Sequence, residues 1–184
     1  MSLLEVQNFT ARLYTDESLR REFFDAPQEI GKLNNLSEKE IIELAEILPA
    51  ELNLFADSLV YKRLREVEKL LPLTRKALAE DFEVYFREFA GGFLPATIKR
   101  HLADAIEFAE FLQSKEKVWK RDLAKYERAK LEFYNCGNNF IFKVFDYDVK
   151  EIFRKGAIAQ KDFKRKKTFA VWLRIGKFTR QFIW

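Results

Sequence analysis

The chain has one cysteine, one histidine, four prolines and six glycines in 184 residues, and each scarcity removes a class of protein. A single Cys, Cys136, excludes an internal disulfide and predicts a reducing, cytoplasmic setting. A single His, His101, excludes a metal site built from several imidazoles. So little Gly and Pro argues against disorder and against an all-β fold rich in tight turns. No apolar run approaches the roughly 18–20 residues needed to cross a bilayer, and Glu5 and Arg12 fall too early for a signal-peptide core. Catalytic signatures are missing too. Cys136 has no second Cys and no basic partner nearby in sequence. Gly91-Gly92 lacks the preceding strand and the following Lys-Ser/Thr of a phosphate loop. Asp146 and Asp148 flank Tyr147 and would share one face of a strand. A hard-cation site there competes with the plainer reading of a strand end facing solvent. The sequence therefore predicts no catalytic residue, no metal ligand and no cofactor: not an enzyme.

Aromatic residues and a divided charge are what the chain does have. Nineteen Phe, six Tyr and three Trp can build a substantial core. The net charge of +4 hides an asymmetry: residues 1–113 hold 14 Lys/Arg against 21 Asp/Glu (net −7), residues 114–184 hold 19 against 8 (net +11). Two regions with different surfaces are implied.

Hydrophobic spacing predicts helices over most of the length. From Pro49 to Pro72, Leu52, Phe55, Leu59 or Val60, Leu64, Val67 and Leu71 form one apolar stripe. Lys62, Arg63, Arg65, Glu66, Glu68 and Lys69 form the wet face. Upstream, Leu3–Leu13 is amphipathic, and Thr15 is expected to cap a helix that Ala26-Pro27 stops. Ser37 with Glu40 reads as a capping box, with Leu36 and Ile41 as its staple. Downstream, one helix is expected to start at Thr74, carry Phe82, Phe86 and Phe89, and end at Gly91-Gly92 with a left-handed cap. A further helix starts at Pro95 and Thr97, burying Ile98, Leu102, Ala105 or Ile106, Ala109 and Leu112. Another runs from about Val118 to Phe133.

The pattern changes at Asn135. Phe140, Phe142 and Val144 alternate with Ile141, Lys143 and Phe145, as on a strand. After a short helix at Lys150–Lys155, a basic stretch from Gly156 to Lys167 reads as a loop. Phe169, Val171, Leu173 and Ile175 then alternate with Ala170, Trp172 and Arg174, Gly176-Lys177 turns the chain, and residues 178–184 form a last strand. The expected fold is α+β, mostly α. An acidic bundle of six to seven helices (1–134) carries a basic, small antiparallel sheet (135–184).

The leading functional signal is basic and aromatic. Lys161, Lys164, Arg165, Lys166, Lys167, Arg174, Lys177 and Arg180 are interleaved with Phe163, Phe169, Trp172 and Phe178. Such a segment could contact phosphates and stack bases. It is equally the composition of a solvated loop with edge lysines that prevent sheet-to-sheet aggregation. The candidate binding residues are Lys164, Arg165, Lys166, Lys167, Phe169, Trp172, Arg174, Lys177 and Arg180.

Several spaced motifs also resemble one family. Tyr61, Arg63, Leu71-Pro72, Arg75, Leu78 and Phe82 follow the Y-R-x…FP-x-x-R-x-x-L…F pattern of the N-terminal helical domain in HvfC/BufC-like bacterial proteins, with Leu71 in place of the typical Phe. Asp122, Leu123, Ala124, Glu127 and Ala129 resemble that family's D-L-A-x-x-E-x-A helix. FIFKVFDYDVKEI and TFAVWLRIG resemble two of its strands. The likeness spans about residues 52–175. That family carries a putative DNA-binding label. Its better-understood relatives, partner subunits in methanobactin-type synthesis, join a multinuclear iron enzyme, supply no metal ligand, and help hold a precursor peptide whose leader pairs with a sheet edge. The resemblance implies a non-catalytic protein that recognises a peptide or partner protein through its C-terminal sheet. Nucleic-acid binding by Lys161–Arg180 is the second expectation. Neither reading involves a membrane, and the sequence leaves the oligomeric state open.

Overall fold

Pro27 lies at the first position of a helix, because a first helical turn has no use for the N–H that proline lacks. The computed structural model describes residues 3–116, 118–155 and 163–184. Ten helices and three strands lie among them. The chain is mostly helical and carries a small antiparallel sheet near its C-terminus, the class that its periodicities predict.

The chain divides into two units, residues 1–62 with 90–94 and residues 63–89 with 95–184. The first holds α1 (Leu3–Thr15), α2 (Glu17–Asp25), α3 (Pro27–Leu33), α4 (Glu38–Ala45) and the start of α5 (Pro49–Leu70). Asp16, not Thr15, caps α2: its carboxylate accepts from the Leu19 N–H at 2.9 Å. Thr15 is the last residue of α1, and its hydroxyl donates back to the Ala11 carbonyl. The capping box forms as expected, with Ser37 Oγ accepting from Glu40 N–H and the Glu40 carboxylate accepting from Ser37 N–H. Leu36 and Ile41 are both buried beside Phe9, Leu13, Leu19 and Phe23. Gly31 lets α3 approach this cluster, since a Cβ there would sit 2.4 Å from Ile41 Cγ1.

In α5 the buried residues are Leu52, Ala56, Leu64 and Val67, followed by Leu71. Phe55 is displaced from the stripe and half exposed, its ring 4.6 Å from that of Tyr14. Arg63 is not on a wet face. Its guanidinium grips the fully buried Asp104 with two hydrogen bonds of 2.7 and 3.1 Å, as a buried carboxylate requires.

The second unit continues with α6 (Pro72–Leu78), α7 (Asp81–Gly92), α8 (Arg100–Lys115), α9 (Val118–Asn135), β1 (Phe140–Tyr147), α10 (Val149–Lys155), β2 (Arg165–Ile175) and β3 (Phe178–Ile183). The single helix expected from Thr74 onward is two helices, broken at Ala79 with φ 51°. Gly91 and Gly92 end α7 without the left-handed backbone of the expected cap. Ile98 precedes α8 and is fully exposed, because its apparent periodicity extends beyond the helix that follows. Phe82, Phe86 and Phe108 form an edge-to-face cluster with centroids 5.2 Å apart. Arg165, Lys166 and Lys167 are not loop residues but open β2. The expected loop at 156–162, Lys161 included, lies outside the described residues. No helix among the described residues is long and apolar enough to cross a membrane.

Candidate docking surface on the C-terminal sheet

Side chains alternate across a strand, so pairing register determines which residues share a face. The strand order is β1-β2-β3, all antiparallel. Ile141 opposes Trp172 and Phe145 opposes Thr168, and this inner set is buried together with Ala170. Tyr126, Ala129 and Phe133 of α9 and Val149 of α10 pack against it. Gln181 ties β3 to the same helix by donating to the Tyr126 hydroxyl at 2.8 Å.

The other set points away from α9. Phe140 opposes Leu173, Phe142 opposes Val171, Val144 opposes Phe169, Val171 opposes Phe182, and Ile175 opposes Phe178. Antiparallel sheets with one wet face usually alternate apolar with polar residues. Here the outward positions Phe140, Phe142, Val144, Phe169, Val171, Leu173 and Ile175 are all apolar, with Arg180 the polar exception on β3. Phe140, Phe142, Ile175, Phe178, Phe182 and Trp184 are each 47–73% exposed. Three of the rings form a row across the strands: Phe142 stacks near Phe169 (6.2 Å, 14°), and Phe169 near Trp184 (6.3 Å, 25°). Residues 140–144, 169–175 and 178–184 contain no carboxylate side chain.

The two outer edges of the sheet differ. Phe169 exchanges both backbone hydrogen bonds with Trp184, and Arg174 N–H donates to the Asn139 carbonyl. By antiparallel alternation, the backbone groups of Phe142, Val144 and Asp146 then point outward from β1, and those of Thr179, Gln181 and Ile183 outward from β3. At β1, α9 fills the positions around the register shift between Phe145 and Tyr147. Lys125 Nζ donates to the Val144 carbonyl at 2.7 Å, and Asp122 Oδ2 accepts from Asp146 N–H (2.6 Å) and Tyr147 N–H (3.0 Å). At β3, no described residue pairs with the outward groups.

Burial pushes the Asp122 carboxyl above its usual range, against the pull of its two N–H donors. Glu127, five residues beyond Asp122 on the same helix, behaves alike. It accepts from Leu73 N–H at 3.0 Å and Thr74 N–H at 2.8 Å, capping α6, and burial raises its carboxyl. Both motif carboxylates of α9 are thus structural anchors.

The residues expected to bind do not form one patch. Lys164 precedes β2 and is exposed, as are Lys167, Lys177 and Arg180. Phe169 is half-buried in the ring row. Lys166 is engaged by Asp148 at 2.6 Å, which holds the Asp148 carboxyl below and the Lys166 amine above their usual ranges. Arg165 lies opposite Tyr147 on the neighbouring strand, whose hydroxyl holds its guanidinium above its usual range. Trp172 is fully buried against α9 and so is removed from any binding surface. Arg174 also turns inward, donating to the Phe133 carbonyl at 3.0 Å and lying over that ring. Phe163 packs edge-on against Trp119. The inward residues share β2 with the outward ones, and sequence cannot separate them when large apolar residues stand in both alternations.

Asp146 and Asp148 are drawn to different partners. Asp146 meets Arg121 at 2.6 Å, while Asp148 caps α10 by accepting from Lys150 and Glu151 N–H. No group of three or more His, Cys, Asp or Glu residues that could hold a metal lies among the described residues. His101 and Cys136 are exposed. The outer row of Phe140, Phe142, Phe182 and Trp184 was missed as a site in the sequence. Its signal was the apolar run Phe140, Phe142, Val144 in one alternation of β1 and Phe169, Val171, Leu173, Ile175 in one alternation of β2. No protein-family model and no curated protein matches the sequence.

Proposed function

We propose that this chain is a non-catalytic docking protein whose C-terminal sheet takes up a polypeptide partner by strand addition at β3. The observation that carries the reading is the unpaired edge of β3, with Lys177 and Arg180 exposed beside it. Main-chain bonds to Thr179, Gln181 and Ile183 would supply affinity, and alternate side chains would supply selection. The cations favour a segment bearing carboxylates. The likeness to HvfC/BufC-like proteins points the same way.

The test uses immobilised extended peptides that alternate apolar with acidic residues, against versions with the acids replaced by lysine. The acidic set should bind, weaken as salt rises, and lose affinity for Thr179→Pro. That substitution removes an outward N–H and leaves the β2–β3 ladder intact, since proline is tolerated on an edge with its nitrogen facing solvent. Equal binding of both peptide sets, or full binding by the proline variant, would sink the reading.

A second reading rests on the row Phe142–Phe169–Trp184 near Lys167 and Arg180, an arrangement suited to stacking the bases of a single strand. Under that reading an oligothymidylate or oligouridylate quenches Trp184 at low salt, and affinity falls steeply with ionic strength.

A further inference from the structure

The outer face of the sheet is too apolar for a surface whose natural state is contact with water. Aromatic side chains of ~150–250 Å² each, about half to three-quarters exposed at Phe140, Phe142, Phe178, Phe182 and Trp184, leave on the order of 600 Å² of apolar surface. Ile175, 67% exposed, adds to that. The largest patch on an ordinary monomer is about 300–600 Å², and one side of a standard interface is about 800 Å². This face therefore reaches the scale of an interface before its half-buried members, Phe169, Val171 and Leu173, are counted.

Its charges are arranged as at an interface. Lys167 lies near the start of β2, Lys177 in the hairpin beyond its end, and Arg180 on the edge strand. At the centre Val171 lies between Phe142 and Phe182, and Leu173 between Phe140 and Arg180. An apolar centre with a charged rim is the usual anatomy of a stable contact. A three-stranded, one-sided sheet also has a simple self-complementary solution. Two copies stack face to face and become a two-layer sandwich, each sheet backed by its own α9.

We infer that the outer face of β1-β2-β3 is covered by the same face of a second copy, making the chain a two-fold dimer. The inference does not rest on strand addition, because the β3 edge stays open when the faces meet. It also has an electrostatic signature. The two rims carry the same sign, so salt screens their repulsion and tightens the dimer. A partner rich in carboxylates or phosphates on this face would show the opposite dependence.

The experiment is sedimentation of the full chain over a range of protein concentration and salt, with acrylamide quenching followed in parallel. Trp119 and Trp172 are buried (9% and 0% exposed), so a change in quenching reports Trp184. A species of twice 21.9 kDa should accumulate with concentration and with salt, and Trp184 should become protected as it forms. Phe142→Asp and Phe182→Asp should each weaken association by at least about 30-fold, the effect of losing a central aromatic anchor. Should either variant fail to fold, the concentration-dependent protection of Trp184 in the unaltered chain decides alone. A 21.9 kDa species at every concentration with Trp184 always open to quencher overturns the inference. So does a dimer that survives both substitutions, one that salt dissociates, or a monomer whose Trp184 is quenched by oligothymidylate.

Discussion

The sheet has a closed side and an open side, and the chain treats them in opposite ways. On the closed side α9 covers the inner face with Tyr126, Ala129 and Phe133 and meets the Val144–Tyr147 end of the β1 edge with Asp122 and Lys125. On the open side the outer face shows rings to solvent and the β3 edge has no partner among the described residues. Buried carboxylates are costly to keep, yet one is used to close β1. A chain that meets the Val144–Tyr147 end of one edge at that cost and leaves the other bare has an unequal use for the two. The difference is the physical basis for reading the open side as a docking surface.

The largest expected effect comes from deleting a ring on each side. Trp172→Ala should lose about 3–5 kcal/mol of stability in urea unfolding, the cost of a cavity where a large aromatic was buried. Phe182→Ala, on the exposed face of the monomer, should lose no more than about 0.5 kcal/mol. Equal losses would mean that the two faces are packed alike. Next is the clamp on β1: Asp122→Ala strands two backbone N–H groups, at about 1–3 kcal/mol for each that stays dry. A loss below about 1 kcal/mol would show that water reaches this edge.

The same carboxylates make the closed side sensitive to pH. Asp122 and Glu127 have folded-state pKa values raised above the ordinary range by burial, so the folded state holds their protons more tightly than the unfolded chain does. Their contribution is fully present below the unfolded carboxyl pKa and is lost as pH rises through the raised value. Asp148 has the opposite sign: held low by Lys166, it contributes above its unfolded pKa and loses that contribution as pH falls through its folded value. Asp122→Asn keeps the accepting oxygen and removes the charge, so the decline in stability from acid toward neutral pH should flatten. An unchanged pH profile would contradict the assignment. A smaller loss than at Asp122 is expected at Lys125. Lys125→Met returns the Val144 carbonyl to solvent at a cost of about 1 kcal/mol, and the β1 edge so freed should then bind strand-forming peptides as well.

Local signals were legible in the sequence and distant pairings were not. The Ser37–Glu40 capping box and the span of α5 rest on residues within a few positions of one another, and both appear where expected. Pro27 reads as a stop although it equally opens a helix, which hides α3. Arg63 looked like a surface cation because Asp104 is 41 positions away. Trp172 looked available for binding because nothing in TFAVWLRI says which alternation meets α9. The sheet itself was visible from its β-branched and aromatic spacing, but its two unequal edges follow from α9 side chains that local patterning does not connect to β1.

Hydrogen exchange of individual amides tests the contrast between the two edges most directly. In the protein without partner, the N–H groups of Thr179, Gln181 and Ile183 should exchange rapidly, while Phe182 on the same strand and Asp146 on the opposite edge are protected, the latter by Asp122. Addition of an acidic strand-forming peptide should then slow Thr179, Gln181 and Ile183 together. Protection of those three amides in the free protein, equal to that of Asp146, would show that the β3 edge is already occupied and would contradict the account.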